Sequence, residues 1–135
     1  MSGRFQIAVH IMTLLDDKQD EVVTSEVIAD SLNVNPALAR KELGTLIRNN
    51  LVCSREGKNG GYRLARPAAE IRLSEIYDCV KPDAILGKAK NRPNPSCSVG
   101  KKINDKLDRL NEAAEGSVRQ FLGSITLADF RTWSG

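Results

Sequence analysis

A length of 135 residues allows one domain, or one small domain with an appended helical arm, and 41% hydrophobic residues with only 4% aromatics implies a core of Leu, Ile, Val and Ala. No apolar run is long enough to span a bilayer, and Met1-Ser2-Gly3-Arg4 opens without the apolar stretch and small-residue cleavage site of a secretion signal, so the expected address is the cytoplasm. Cys53, Cys79 and Cys97 are odd in number and irregularly spaced, which argues against a disulfide framework and for free thiols in a reducing compartment.

Residues 4–15 read as a helix with two apolar stripes, Phe5, Ala8, Met12, Leu15 and Ile7, Ile11, Leu14. Two stripes imply burial on two sides. His10 is a lone histidine and reads as a packing or surface residue. After the polar break 16–21, Val22-Val23 reads as a short strand, and Thr24 or Ser25 as the cap of a helix that turns Val27, Ile28, Ala29 and Leu32 inward. Asn33-Val34-Asn35 is a turn. Asn35 then caps a second helix with Pro36 at its first position, where a missing N–H costs nothing. That helix runs to about Asn49, with Ala39, Leu43, Leu46 and Ile47 on one face and Ala37, Arg40 and Lys41 on the other.

Two short helices across a tight turn match a helix-turn-helix, although plain bundles contain such pairs too. The next segment discriminates. Residues 51–55 and 61–65 read as strands joined by the glycine-bearing turn 56–60, and a hairpin directly after the second helix is a wing. Arg55, Lys58, Arg63 and Arg66 surround it. The charge pattern agrees: the chain is net +3, but residues 1–35 hold two basic and six acidic side chains while 36–66 hold seven basic and two acidic. Clustered basic charge is the footprint of a polyanion-binding surface.

Residues 73–80 read as a short helix, 81–100 as a loop rich in Pro, Asn, Lys and Gly, and 101–122 as a long helix. In the long helix Ile103, Leu107, Leu110, Ala114, Val118 and Phe121 recur at nearly heptad spacing. This seam is the expected homodimer interface; the alternative is that the helix folds back on the first helix of its own chain. Residues 126–132 read as a last short helix, with Trp133 packed at its end.

The expected class is mainly α with a small β-hairpin wing (α+β). The division is a winged helix-turn-helix domain over 1–80, a loop over 81–100, and a dimerisation helix with tail over 101–135. The expected partner is double-stranded DNA, contacted through Thr24, Ser25, Asn35, Ala37, Leu38, Arg40, Lys41, Arg55, Gly57, Lys58, Asn59, Gly60 and Arg63. An enzyme is disfavoured: one histidine supports no His-based nucleophile, and Gly57-Lys58 lacks the spacing of a phosphate-binding loop. A winged helix used only for protein–protein contact is the other reading, and the four cations around one hairpin argue against it.

Asn35-Pro36, Leu51-Val52, the run Gly60-Gly61-Tyr62-Arg63-Leu64-Ala65-Arg66-Pro67 and Leu73-Ser74-Glu75-Ile76 resemble the BadM/Rrf-two family of bacterial regulators over nearly the whole chain. Asn94 to Lys102 looks like the YwnA branch, with a lone cysteine before the long helix. The resemblance implies a two-fold dimer through the long helix, DNA binding by the second helix and wing, and repression. The chain departs from the family twice. Glu56 stands where several members carry arginine. Only Cys97 lies in the loop where cluster-binding members place three cysteines, which argues against an iron–sulfur cofactor held in the usual way. Cys97 is instead a candidate redox sensor, since a helix start and Lys101 and Lys102 favour a thiolate; the alternative is an unreactive loop cysteine. Cys53 and Cys79 are expected to be packed in apolar surroundings.

Overall fold

Asn35 and Thr24 decide where the central helix pair begins. Thr24 Oγ1 accepts from Val27 N at 3.3 Å and starts helix α2 (Ser25–Leu32), and Asn35 Oδ1 accepts from Ala37 N at 2.8 Å and starts helix α3 (Pro36–Arg48). Between them Asn33 takes the left-handed conformation, φ 55°, so the chain reverses in three residues. The computed structural model describes residues 3–135; Met1 and Ser2, where the leader reading starts, lie outside the described residues.

Helix α1 (Arg4–Asp17) precedes the pair. Strands β1 (Val52–Arg55) and β2 (Gly61–Leu64) follow it as an antiparallel hairpin pairing Val52 with Leu64 and Arg55 with Gly61. The Val22-Val23 strand is a single bridge: Val23 exchanges hydrogen bonds with Tyr62 at 2.9 and 2.8 Å. Gly61 permits this approach, because a Cβ there would meet the Val23 carbonyl oxygen at 2.7 Å. A 3₁₀ turn at Ala68–Glu70 leads to α4 (Leu73–Val80), then a long loop, α5 (Ser98–Leu122) and α6 (Leu127–Arg131).

One apolar core joins these elements. Ala8, Ile11, Met12 and Leu15 of α1 meet Ile28 of α2, Ala39, Leu43 and Leu46 of α3 and Ile76 of α4, all essentially inaccessible. Each fully buried Leu or Ile contributes about 1.5–3 kcal/mol. Leu43 and Leu46 therefore fix which face of α3 turns inward, and with it which face turns out. Val27, expected inside, is 46% exposed. It lies one residue before the buried Ile28, on a helix of only eight residues that packs against one layer.

The C-terminal third departs from the sequence reading in three ways. The long helix starts at Ser98, three residues early, because Cys97 serves as its cap. Its own-chain partner is α4 rather than α1, through Asp78–Arg119 at 2.7 Å and Lys81–Glu115 at 2.9 Å. The tail also returns to the core: Ile125 and Leu127 are buried, Leu73 N donates to Ile125 O and Leu127 N to Ile71 O. Trp133 stacks on Phe130 at 6.0 Å yet stays 48% exposed, so it covers the edge of α6 rather than filling the core.

Candidate nucleic-acid interface

Helix α3 turns a polar, cationic face to solvent. Ala37, Leu38, Arg40 and Lys41 are exposed, and neither Arg40 nor Lys41 has an ion-pair partner among the described residues. Glu42, which would offset them, is 2% exposed and points the other way; Arg4 Nε donates to its Oε2 at 3.0 Å. The outward charge of the helix is therefore more positive than a count along the sequence gives. Arg48, at the far end, donates to Thr45 Oγ1 at 3.2 Å and belongs to the helix end rather than to the exposed face of the first turns.

The wing adds a second cationic surface. Arg55, Lys58 and Arg63 are exposed and carry no ion pair among the described residues. At the tip a Cβ on Gly60 would lie 2.2 Å from Arg55 O, so only glycine closes this turn. Asn59 takes a left-handed φ of 67°, a conformation asparagine tolerates. Glu56 shares the exposed tip. Arg66, read as part of the cationic ring, is withdrawn: Nη1 donates to Glu70 O at 2.9 Å and Nη2 to Glu75 Oε1 at 2.6 Å. Burial pushes the Glu75 carboxyl up, but the Arg72 backbone N–H and the Arg66 guanidinium outweigh it and leave the group below its usual range.

Thr24 and Ser25 sit beside the wing. With Arg55, Glu56 and Gly60 they line a cleft of about 280 Å³. The Thr24 hydroxyl is engaged in capping, and Ser25 Oγ lies 3.4 Å from Glu26.

The cysteines do not converge. Cys79 packs against the core, where burial raises its thiol pKa. Cys53 is half-buried, but its surroundings are polar rather than apolar, since it lines a groove with Asp20, Glu21, Arg55 and Arg63. The cause is its register opposite Arg63, on the face of the hairpin away from the core. Cys97 is exposed; its sulfur accepts from Gly100 N at 3.5 Å, and the backbone N–H groups of Gly100 and Val99 lower its thiol pKa. No three His, Cys, Asp or Glu side chains among the described residues are grouped to hold a metal ion. This donor set does not fit a cluster within one chain.

Two deciding charges escaped the sequence reading. Glu42 falls on the same face as Ala39, Leu43 and Leu46, and Asp16 extends the Ala8–Met12 stripe by one turn, so helical periodicity places both inside. What periodicity leaves out is their partners, Arg4 and Arg131, which come from other elements.

A family model described as "Iron-dependent Transcriptional regulator" and named Rrf2 matches residues 1–132. The chain belongs to the Rrf2 family. It is 36% identical over 129 residues to the candidate HTH-type transcriptional regulator YwnA of Bacillus subtilis (strain 168), covering 96% of this chain and 95% of that protein. Among solved structures, a candidate DNA-binding protein superposes with TM-score 0.75 at 35% identity, over 94% of this chain and 97% of the other. A candidate transcriptional regulator from Lactobacillus plantarum superposes with TM-score 0.79 at 28% identity, over 98% and 89%. The Rrf2 chain is thus a DNA-binding transcriptional regulator with a winged helix-turn-helix, and not an enzyme. No helix among the described residues is long and apolar enough to cross a membrane.

Proposed function

We propose that this Rrf2 regulator is a homodimeric repressor that holds no iron–sulfur cluster and reads DNA with α3 and the wing. The carrying observation is placement. Arg40, Lys41, Arg55, Lys58 and Arg63 are exposed without ion-pair partners among the described residues, and all five stand on α3 or the hairpin that directly follows it, where Glu42 is turned inward to Arg4. Unpaired guanidinium and ammonium groups are the ones free to replace counterions on phosphates.

In this reading Asn35, Ala37, Leu38, Arg40 and Lys41, at the start of α3, face base edges in the major groove. The thin tip Gly57-Lys58-Asn59-Gly60, with Arg55 and Arg63 behind it, lies against the adjoining backbone or minor groove. Thr24 and Ser25 present the α2 N-terminus to a phosphate. Two copies joined through α5 place their α3 helices in grooves one turn apart, about 34–36 Å. Glu56 at the tip repels phosphate or accepts from a cytosine amino group, so the operator differs from those of relatives with arginine there. Cys97 is the redox trigger: a peroxide transfers one oxygen to its thiolate and leaves as water, and the resulting sulfenate, larger by one oxygen, displaces the sulfur from the Gly100 N–H at the start of the dimer helix.

The test is anisotropy of a fluorescent duplex from the gene's own upstream region, titrated with reduced protein at several salt concentrations. Tight, sequence-dependent binding with a steep salt slope is expected. Binding to no DNA at low salt overturns the interface, and a monomer in sedimentation at micromolar concentration overturns the dimer.

A further inference from the structure

A cavity of about 640 Å³ lies away from the DNA-facing surfaces, between the start of α1 and the segment after α4. Its wall is apolar, from Pro82, Ala84, Ile85 and Leu86, and two cations, Arg4 and Lys81, stand at it. The volume falls in the range of small-molecule sites, which are mostly apolar with a few placed polar groups. Asp83 also lines it, leaving the lining with two positive groups and one negative.

What singles this cavity out is where its two cations are already engaged. Arg4 binds Glu42, the buried carboxylate of α3, at 3.0 Å; Lys81 binds Glu115 of α5 at 2.9 Å. One helix carries the proposed base-reading face and the other the proposed dimer seam. Both ion pairs combine a buried or half-buried carboxylate with a partly exposed cation, so a new carboxylate arriving from the cavity can exchange with either.

We propose that this cavity is an effector site for a small amphipathic carboxylate, such as a medium-chain fatty acid or an aryl acid. The hydrocarbon part covers Pro82, Ala84, Ile85 and Leu86, and the carboxylate takes hydrogen bonds from Arg4 and Lys81 in place of Glu42 and Glu115. Glu42, left buried without its cation, forces α3 to shift, because an unpaired buried charge is far costlier than a paired one. Ligand binding thereby lowers affinity for DNA through a preferred state of the helix. A neutral or cationic ligand of the same shape lacks this exchange and is not expected to act.

The inference rests on the regulator reading only for its consequence on DNA, and its test includes readouts that use none. Octanoate and 1-octanol are titrated calorimetrically into the full chain. Octanoate is expected to bind saturably and about tenfold or more tighter than the alcohol, with Ile85→Asn and Lys81→Gln each weakening it about tenfold. Amide exchange across residues 36–48, measured without DNA, should speed up with octanoate in the wild type and not in Ile85→Asn. Duplex affinity should fall about tenfold with octanoate, while Ile85→Asn alone binds DNA as the wild type does. No saturable binding, equal binding of 1-octanol, or binding indifferent to both substitutions overturns the site. Octanoate binding that changes neither exchange in α3 nor DNA affinity overturns the coupling. A chain that binds no DNA in any condition defeats the regulator reading, while calorimetry and exchange still decide this one.

Discussion

Arg131 of the last helix reaches back to Asp16 at the end of the first, with Nε donating to Oδ2 at 3.1 Å and Nη2 to the Asp16 carbonyl at 3.1 Å. The carboxylate is 2% exposed and the arginine side chain 45%, so the pair is a plug: a buried anion closed off by a half-exposed cation. It locks the C-terminal tail onto α1 across nearly the whole chain. Removing the cation strands a buried charge, while water reaching the vacated edge limits the cost, so Arg131→Ala is expected to destabilise by about 2 kcal/mol. Urea melts should show a lower midpoint with an unchanged slope. Asp16→Asn, which keeps an acceptor, should cost less than Arg131→Ala. Equal midpoints for wild type and Arg131→Ala would show that the plug contributes nothing.

The difference between paired and unpaired arginines leads to a salt-slope experiment. Lys41→Ala and Lys58→Ala should each weaken DNA binding and reduce the dependence of log K on log salt by about 1, the signature of a lost phosphate contact. Arg40→Ala, placed to meet a base edge, should cost about 1–3 kcal/mol and relax preference at one operator position. Arg66→Ala should leave the salt slope unchanged, since its guanidinium is held by Glu75 and the Glu70 carbonyl. A slope that changes equally in all four variants would make the effect one of overall charge and not of an interface.

How much of this was legible in the sequence depends on whether the deciding interaction is local. Asn35 as a cap, Pro36 at a helix start and the glycine turn of the wing are set within four residues, and the sequence states them directly, while it narrows the first cap to Thr24 or Ser25, of which Thr24 is the one. The start of α5 escapes the sequence because Cys97 is an unusual cap, its sulfur taking the place of a hydroxyl or carboxylate. The sequence groups the tail with the dimerisation helix because nothing local announces that Ile125 and Leu127 pair with Ile71 and Leu73 across fifty residues of loop and helix. Arg66 counts among the four cations around the hairpin but not among the expected DNA contacts; its chain neighbours resemble those of Arg63, and only the fold brings Glu75 to one and leaves the other open. Cys53 differs from expectation for a similar reason, as a strand's two faces look alike until its partner strand and register are known.

Cys97 and Cys79 offer opposite thiols in one molecule. Backbone N–H groups at the α5 start pull the Cys97 pKa below the usual thiol value, while burial pushes that of Cys79 above it. Alkylation by iodoacetamide near pH 8 should therefore label Cys97 well before Cys79, and faster than a model thiol. The sign for stability follows. With a depressed folded-state pKa, the contribution of the Cys97 thiolate is present above the unfolded pKa and is lost as pH falls through the folded one. Cys97→Ser should abolish the fast phase and, if the thiol is the trigger, make DNA binding indifferent to peroxide. Equal peroxide sensitivity in wild type and variant would exonerate Cys97.

The seam of α5 sets the last expectation. No residue of this 25-residue helix is buried by its own chain. Leu107, Leu110 and Phe121 are 44%, 55% and 58% exposed, with Ile103, Ala114 and Val118 half-buried between them. Three large side chains on one stripe are costly to leave in water, and a second copy of the same stripe covers them through a two-fold axis. Because symmetry doubles each substitution, Leu110→Glu removes two leucines and opposes two charges. With 55% of each leucine left for the partner to cover, about 0.8–1.7 kcal/mol per leucine, the dimer dissociation constant should rise at least about 10- to 200-fold. Glu112→Lys, on the opposite side of the helix, should leave it within about threefold, a change worth well under 1 kcal/mol. Sedimentation velocity across a dilution series reads both. The Leu110→Glu monomer should keep its helical circular dichroism, since α5 still packs on α4 through Asp78–Arg119 and Lys81–Glu115. It should also lose most of its operator affinity while retaining non-specific binding to DNA, because each half-site then binds without the other. Unchanged sedimentation in Leu110→Glu would place the dimer contact elsewhere on the molecule.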